Sequence, residues 1–190
     1  MTTFSSAPLW FVTRSAGLVS FVLLTLTLAL GIAATQRALA SRAWPRFATQ
    51  ALHRNVALLG VALLGVHIVS TVVDSYVNMG WSTVLVPGTS GYRPTWVSFG
   101  TLAFDLLLLI AATSLVRLRL PQRVWRAVHL TAYAVWPLSL LHFLRTGTDV
   151  HGTGLALAGA CTAVVVGAVG VRLATNDEPA PLRTIARAHR

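Results

Sequence analysis

An all-α, polytopic membrane helical bundle of about five transmembrane helices is the fold class this sequence predicts, on three observations. Of 190 residues, 55% are hydrophobic and 11% charged, with a mean hydropathy of +0.69, so there are too few polar groups to clothe a soluble globule. Five apolar runs approach the ~20 residues that, at ~1.5 Å each, cross a ~30 Å hydrocarbon core. The charged residues gather mainly between these runs.

The first run covers residues 9–34 and is interrupted only by Arg14. Ala38-Leu39-Ala40 follows it and resembles a cleavage site. The run lacks a basic leader and is too long for a signal peptide, so it is expected to be retained. The second run, 56–73, has no Asp, Glu, Lys or Arg and is expected to begin near Leu52. The third, 96–116, carries one charge, Asp105, for which pairing with Arg14 is the expectation. The fourth, 127–144, and the fifth, 152–171, carry none. Gly159, Ala163 and Gly167 form a row of small residues on the fifth, the pattern of close helix packing. Between the second and third runs, 74–95 contains Pro87, Gly88, Gly91 and Pro94 and reads as a loop, with 81–86 placed at the interface by Trp81. Residues 1–174 thus form one membrane domain, and 175–190 a short basic tail expected to be disordered.

All 15 basic residues are arginine, against five acidic ones, giving a formal net charge of +10. In a soluble protein such a balance points to nucleic acid. Here the arginines sit between apolar runs, where they act as topology signals, so the expected partner is the lipid bilayer and no nucleic acid. Twelve arginines fall in 34–55, 117–126 and from Arg172 to the end, and only Arg14, Arg93 and Arg145 fall on the other side. That asymmetry predicts a multi-pass cell-membrane protein with its N-terminus outside and its C-terminus cytoplasmic. The single cysteine, Cys161, excludes an internal disulfide.

Histidine is rare inside a membrane span and marks a functional site by default. His53 and His67 lie 14 residues apart on the second run, and His129 and His142 lie 13 apart on the fourth. Both runs cross in the same direction, so His53 and His129 share the inner level and His67 and His142 the outer. A 14-residue step rises about 21 Å and turns about 40° short of four full turns, leaving His53 and His67 on one face. Thirteen residues leave His129 and His142 about 140° apart on an ideal helix. Their convergence therefore requires a local distortion or a strong tilt, and Pro137 lies between them. Two imidazoles at each of two levels suit two b-type haems, one per leaflet, each with iron held between two rings. Ser70, Thr71, Thr131 and Ser139 are candidates to orient the rings. Arg54 and Arg126 near the inner pair, and Arg145, Arg14 and Arg93 near the outer, are candidate partners for the haem propionates. His151 and His189 lie outside the spans and are expected to be solvated.

The chain resembles the ferric reductase-like transmembrane domain family. That family includes the membrane parts of ferric reductases and NADPH oxidases and the haem-binding subunit of a bacterial methionine sulfoxide reductase system. The likeness runs over residues 10–171, and this chain is similar to the small stand-alone members found in actinobacteria. It rests on Thr13-Arg14-Ser15-Ala16-Gly17, Leu52-His53-Arg54-Asn55 with His67, Tyr92-Arg93-Pro94, Trp125-Arg126-Ala127-Val128-His129, Ala134-Val135-Trp136-Pro137 with His142, and Thr146-Gly147-Thr148-Asp149. The resemblance implies that His53 and His129 hold the inner haem iron and His67 and His142 the outer. Many members have six spans, against five here, and oxidases carry a flavin and nicotinamide domain. This sequence has no GxGxxG, phosphate loop or CxxC. Flavin is therefore expected only on a separate partner, and the electron donor is a flavoprotein, a cytoplasmic reductase or a quinol. The acceptor is expected outside the cytoplasm. The expected function is transmembrane electron transport as a component of a ferric reductase-like oxidoreductase. The alternative is a haem-free small transporter or assembly factor using the buried His and Asp as a proton or metal path.

Overall fold

The computed structural model describes residues 7–35, 46–74, 79–147 and 150–176, and within these every regular element is helical. Lipid offers no hydrogen-bond partner to a backbone amide, so an apolar run must satisfy its own amides by coiling. The elements are α1 (Ala7–Thr35), α2 (Arg46–Val73), the short α3 (Ser82–Leu85), α4 (Pro94–Leu115), α5 (Gln122–Leu130), α6 (Ala132–Thr146) and α7 (Leu155–Asn176). A 3-10 turn, Arg117–Arg119, precedes α5, and a π turn, Val150–Gly154, which contains His151, precedes α7.

Five helical segments are long and apolar enough to cross a membrane: Pro8–Thr35, Phe47–Val73, Pro94–Leu115, Gln122–Thr146 and Gly152–Ala174. The number matches the sequence expectation. The second span starts earlier than its uncharged run, however, and takes in His53 and Arg54. Helix α2 tolerates Arg54 because its side chain is exposed near the helix end, where a long basic side chain can reach the interface. The expected disordered tail begins at 175, but α7 runs on through Asn176; residues 177–190, with His189, lie outside the described residues, as do Arg37 and Arg42.

Helix α1 is the centre of the bundle, packing against α2, α6 and α7. It is apolar on all sides, as a helix surrounded by helices and lipid should be. One buried cluster joins Phe21, Leu28 and Ile32 of α1 to Trp136 of α6 and to Cys161 and Val165 of α7. Trp136 donates its indole N–H to Thr25 Oγ1 at 3.0 Å, and that hydroxyl donates to the Phe21 carbonyl at 2.9 Å. A second cluster joins Ala103 and Ile110 of α4 to Val135 of α6. Helix α7 contributes Ala158, Cys161 and Val165, spaced three and four apart on one stripe. The row Gly159, Ala163 and Gly167 faces away: all three are exposed, and a Cβ on either glycine would meet open space. The expectation that this row makes the close contact is corrected, since the buried stripe lies one to two residues out of phase with it.

The second and fourth spans do not pack on each other. Helix α2 packs on α1, and α6 on α4. The two histidine-bearing helices thus face one another across a gap held open by two helix pairs, α1 with α2 and α4 with α6.

Candidate functional site

Three of the four span histidines are held by one device. The ring Nδ1 of His67 lies 2.7 Å from the Thr13 carbonyl, that of His53 lies 2.9 Å from the Thr27 carbonyl, and that of His142 lies 3.0 Å from the Trp96 carbonyl. A helical carbonyl can accept a second bond only where a ring can reach it. Four residues after each carbonyl stands a glycine that gives the ring room: Gly17, Gly31 and Gly100. A Cβ on Gly17 would stand 2.7 Å from His67 Nδ1, one on Gly100 2.6 Å from His142 Nδ1, and one on Gly31 3.2 Å from His53 Cε1. Because Nδ1 donates to a carbonyl, the other nitrogen, Nε2, is left as the lone-pair donor, which is the tautomer a metal requires.

The orienting groups are therefore backbone carbonyls on neighbouring helices, not the hydroxyls expected from sequence. Thr71 and Ser70 instead donate to the His67 carbonyl, at 2.6 and 3.1 Å, and Thr131 donates to the Val128 carbonyl at 2.7 Å. Thr13 Oγ1 donates to Ser70 Oγ at 2.7 Å and so ties α1 to α2 beside His67.

Across the gap the rings meet in the expected pairs. His53 and His129 have centroids 6.2 Å apart with planes at 61°, and His67 and His142 6.4 Å apart with planes at 82°. The rotational misfit on the fourth span is relieved in part at Thr131, between α5 and α6. There the bonds shorten to the i−3 pattern, from Thr131 N–H to the Val128 carbonyl at 3.0 Å and from Ala134 N–H to the Thr131 carbonyl at 2.8 Å. Each 3-10 residue turns about 20° more than an α residue, in the sense that closes the gap between the two rings. Pro137 stands inside α6, six residues beyond this break.

The rings' separation fits a metal held between them. A coordinated imidazole nitrogen lies about 2 Å from its metal and the ring centre about 1.1 Å farther, so two rings on opposite faces of one ion stand about 6.2 Å apart. Among the described residues no group of three or more His, Cys, Asp or Glu could hold a bare metal ion. Two ligands per site suit a group that brings its own equatorial donors, as a porphyrin does. A cavity of about 370 Å³ surrounds the outer pair and runs inward between α1, α2, α4 and α6 to Thr27 and Ala57. Its wall includes Gly17, Gly60, Gly100, Leu64 and Phe104, with Arg14 at the outer end. Two of its wall residues, Ser20 and Thr27, have buried hydroxyls without a hydrogen-bond partner among the described residues.

The outer arginines gather near this cavity. Arg14 lies in its wall, with Cζ 5.1 Å from the Trp10 ring. Arg93, in the left-handed region at φ 42°, precedes α4 and donates to the Arg145 carbonyl. Arg145 in turn lies 4.7 Å over the ring of Trp96, whose carbonyl holds His142. Arg54 and Arg126 are exposed at the inner end. The inner side chain that sequence reasoning passed over is Arg117, whose Cζ lies 4.7 Å over Trp125, which stacks on His129 at 4.9 Å and 23°. Trp125 stands four residues before His129, one turn away on the same helical face, and that spacing was the available signal. Asp105, half-exposed on α4, has no ion-pair partner among the described residues, so the expected pairing with Arg14 is absent.

No curated protein and no solved structure matches the chain. A profile of the family described as ferric reductase like transmembrane component matches residues 16–140, which include His53, His67 and His129, end two residues before His142, and take in most of the first four spans. The chain belongs to the ferric reductase like transmembrane component family.

Proposed function

We infer that this protein is a membrane b-type cytochrome, the electron-transfer subunit of a ferric reductase-like oxidoreductase. His53 and His129 ligate an inner haem, and His67 and His142 an outer one. The observation that carries this reading is the ring spacing. Two histidine pairs stand 6.2 and 6.4 Å apart across a gap between helices that do not pack closely on each other, close to the separation two imidazoles sharing one iron would have.

Haem, when bound, supplies the one-electron chemistry. The chain's own residues do the rest. The carbonyls of Thr13, Thr27 and Trp96 fix three rings with Nε2 facing the gap and raise their basicity. Leu64 and Phe104 and the apolar faces of α1 and α6 exclude water from the outer site. Arg14, Arg93 and Arg145 at the outer end, and Arg54 and Arg126 at the inner end, supply cations for carboxylate groups of the ligand. Residues 1–174 act as one membrane domain with the N-terminus outside, and the basic tail lies in the cytoplasm. The donor is a separate flavoprotein, reductase or quinol on the inner side, and the acceptor is extracytoplasmic.

The test is His67→Ala in protein expressed with haem supplied. Haem should fall from two to one per chain, with the remaining low-spin signal belonging to the inner pair. Two haems retained in that variant would show the pairing to be wrong.

A further inference from the structure

The fourth histidine departs from the device that holds the other three. His129 Nδ1 is buried and has no hydrogen-bond partner among the described residues. Trp96 and Gly100 of α4 serve His142. What touches the His129 ring instead is Trp125, stacked at 4.9 Å and 23°, with the Arg117 guanidinium 4.7 Å over the same indole.

We propose that the Arg117–Trp125 stack replaces the backbone hydrogen bond as the positioning device for His129, leaving the inner haem with one weakly donating axial ligand while the outer haem has two strong ones. This rests on the haem reading above. A carbonyl that accepts from Nδ1–H pushes electron density onto the ring and through Nε2 to the iron, which stabilises Fe3+ over Fe2+. His129 lacks that push. Stacking fixes the plane of a ring but adds no such density, and an overlying cation draws density away. The Arg117–Trp125 stack thus biases where a single electron rests between the two haems, with the inner one made easier to reduce.

The test uses the full-length protein, purified with its haem counted and reduced stepwise with dithionite through mediators, each step adding one electron to Fe3+ and nothing else. The inner signal is assigned by its survival in His142→Ala. Arg117→Gln removes the overlying cation and should lower the inner Fe2+/Fe3+ ratio at fixed ambient potential, with the outer haem unmoved. Trp125→Ala should alter the inner low-spin EPR signal and deplete that haem, and Trp125→Phe should restore both. The proposal is overturned if Arg117→Gln titrates as wild type with both haems bound, or if Trp125→Ala leaves the inner signal unchanged. Wild-type protein that binds no haem would overturn the functional reading itself, and this inference with it.

Discussion

Gly17 and His67 share one small space: a Cβ on Gly17 would stand 2.7 Å from the His67 ring nitrogen that the Thr13 carbonyl holds. Helix α1 repeats this arrangement fourteen residues on, where Gly31 lies beside His53 and the Thr27 carbonyl holds its ring. Thr-x-x-x-Gly occurs twice in α1 at the spacing of the two histidines in α2. The antiparallel pair α1–α2 therefore sets both rings at once, and the glycines decide how close they come.

Adding a methyl group at these glycines should displace the rings in graded fashion. Gly100→Ala and Gly17→Ala, with built contacts of 2.6 and 2.7 Å, cannot be accommodated without moving the ring, and outer haem occupancy should drop by about tenfold or more, in line with loss of an outer-shell contact. Gly31→Ala, at 3.2 Å, needs only a small shift and should weaken the inner haem less. Gly159→Ala, which meets open space, should leave both haems in place. Haem per chain in the four variants checks the order.

The ring planes make a spectroscopic prediction. An iron held between rings whose planes stand at 82° in the outer pair and 61° in the inner would have the two orbitals that mix with the rings nearly equal in energy. Frozen oxidised protein should therefore give strongly anisotropic low-spin EPR signals, more so from the outer haem. Sharp rhombic spectra of the parallel-ring type from both haems would contradict the geometry.

The core bond from Trp136 to Thr25 should matter for stability and not for ligation. Thr25→Val leaves a buried indole N–H unpaired, at a cost of about 1–3 kcal/mol, the lower end being expected where membrane helices offer other partners. Unfolding from mild detergent should shift accordingly, while haem content and spectrum stay as in the wild type.

Much of this was legible in the sequence because it depended on local pattern. The five spans follow from uncharged apolar length, and the pairing of His53 with His129 and His67 with His142 follows from spacing and crossing direction. What escaped depended on groups that carry no side-chain signature. The orienting acceptors are backbone carbonyls, so hydroxyls such as Thr71 and Ser139 drew attention that Thr27 with Gly31 merited. The break at Thr131 has no proline or glycine to mark it, and Pro137 drew the expectation of distortion instead. The row Gly159, Ala163 and Gly167 carries a packing pattern, but the helix turns its Ala158, Cys161 and Val165 stripe to the bundle. Composition does not choose between two neighbouring stripes of an apolar helix.

The central claim is that two histidine pairs each hold a haem. The most direct measurement is a dithionite-reduced minus oxidised absorption spectrum of the purified protein, with haem counted per chain. The account predicts sharp low-spin b-type bands at two haems per chain. Folded protein, supplied with haem during expression and carrying none, would contradict it.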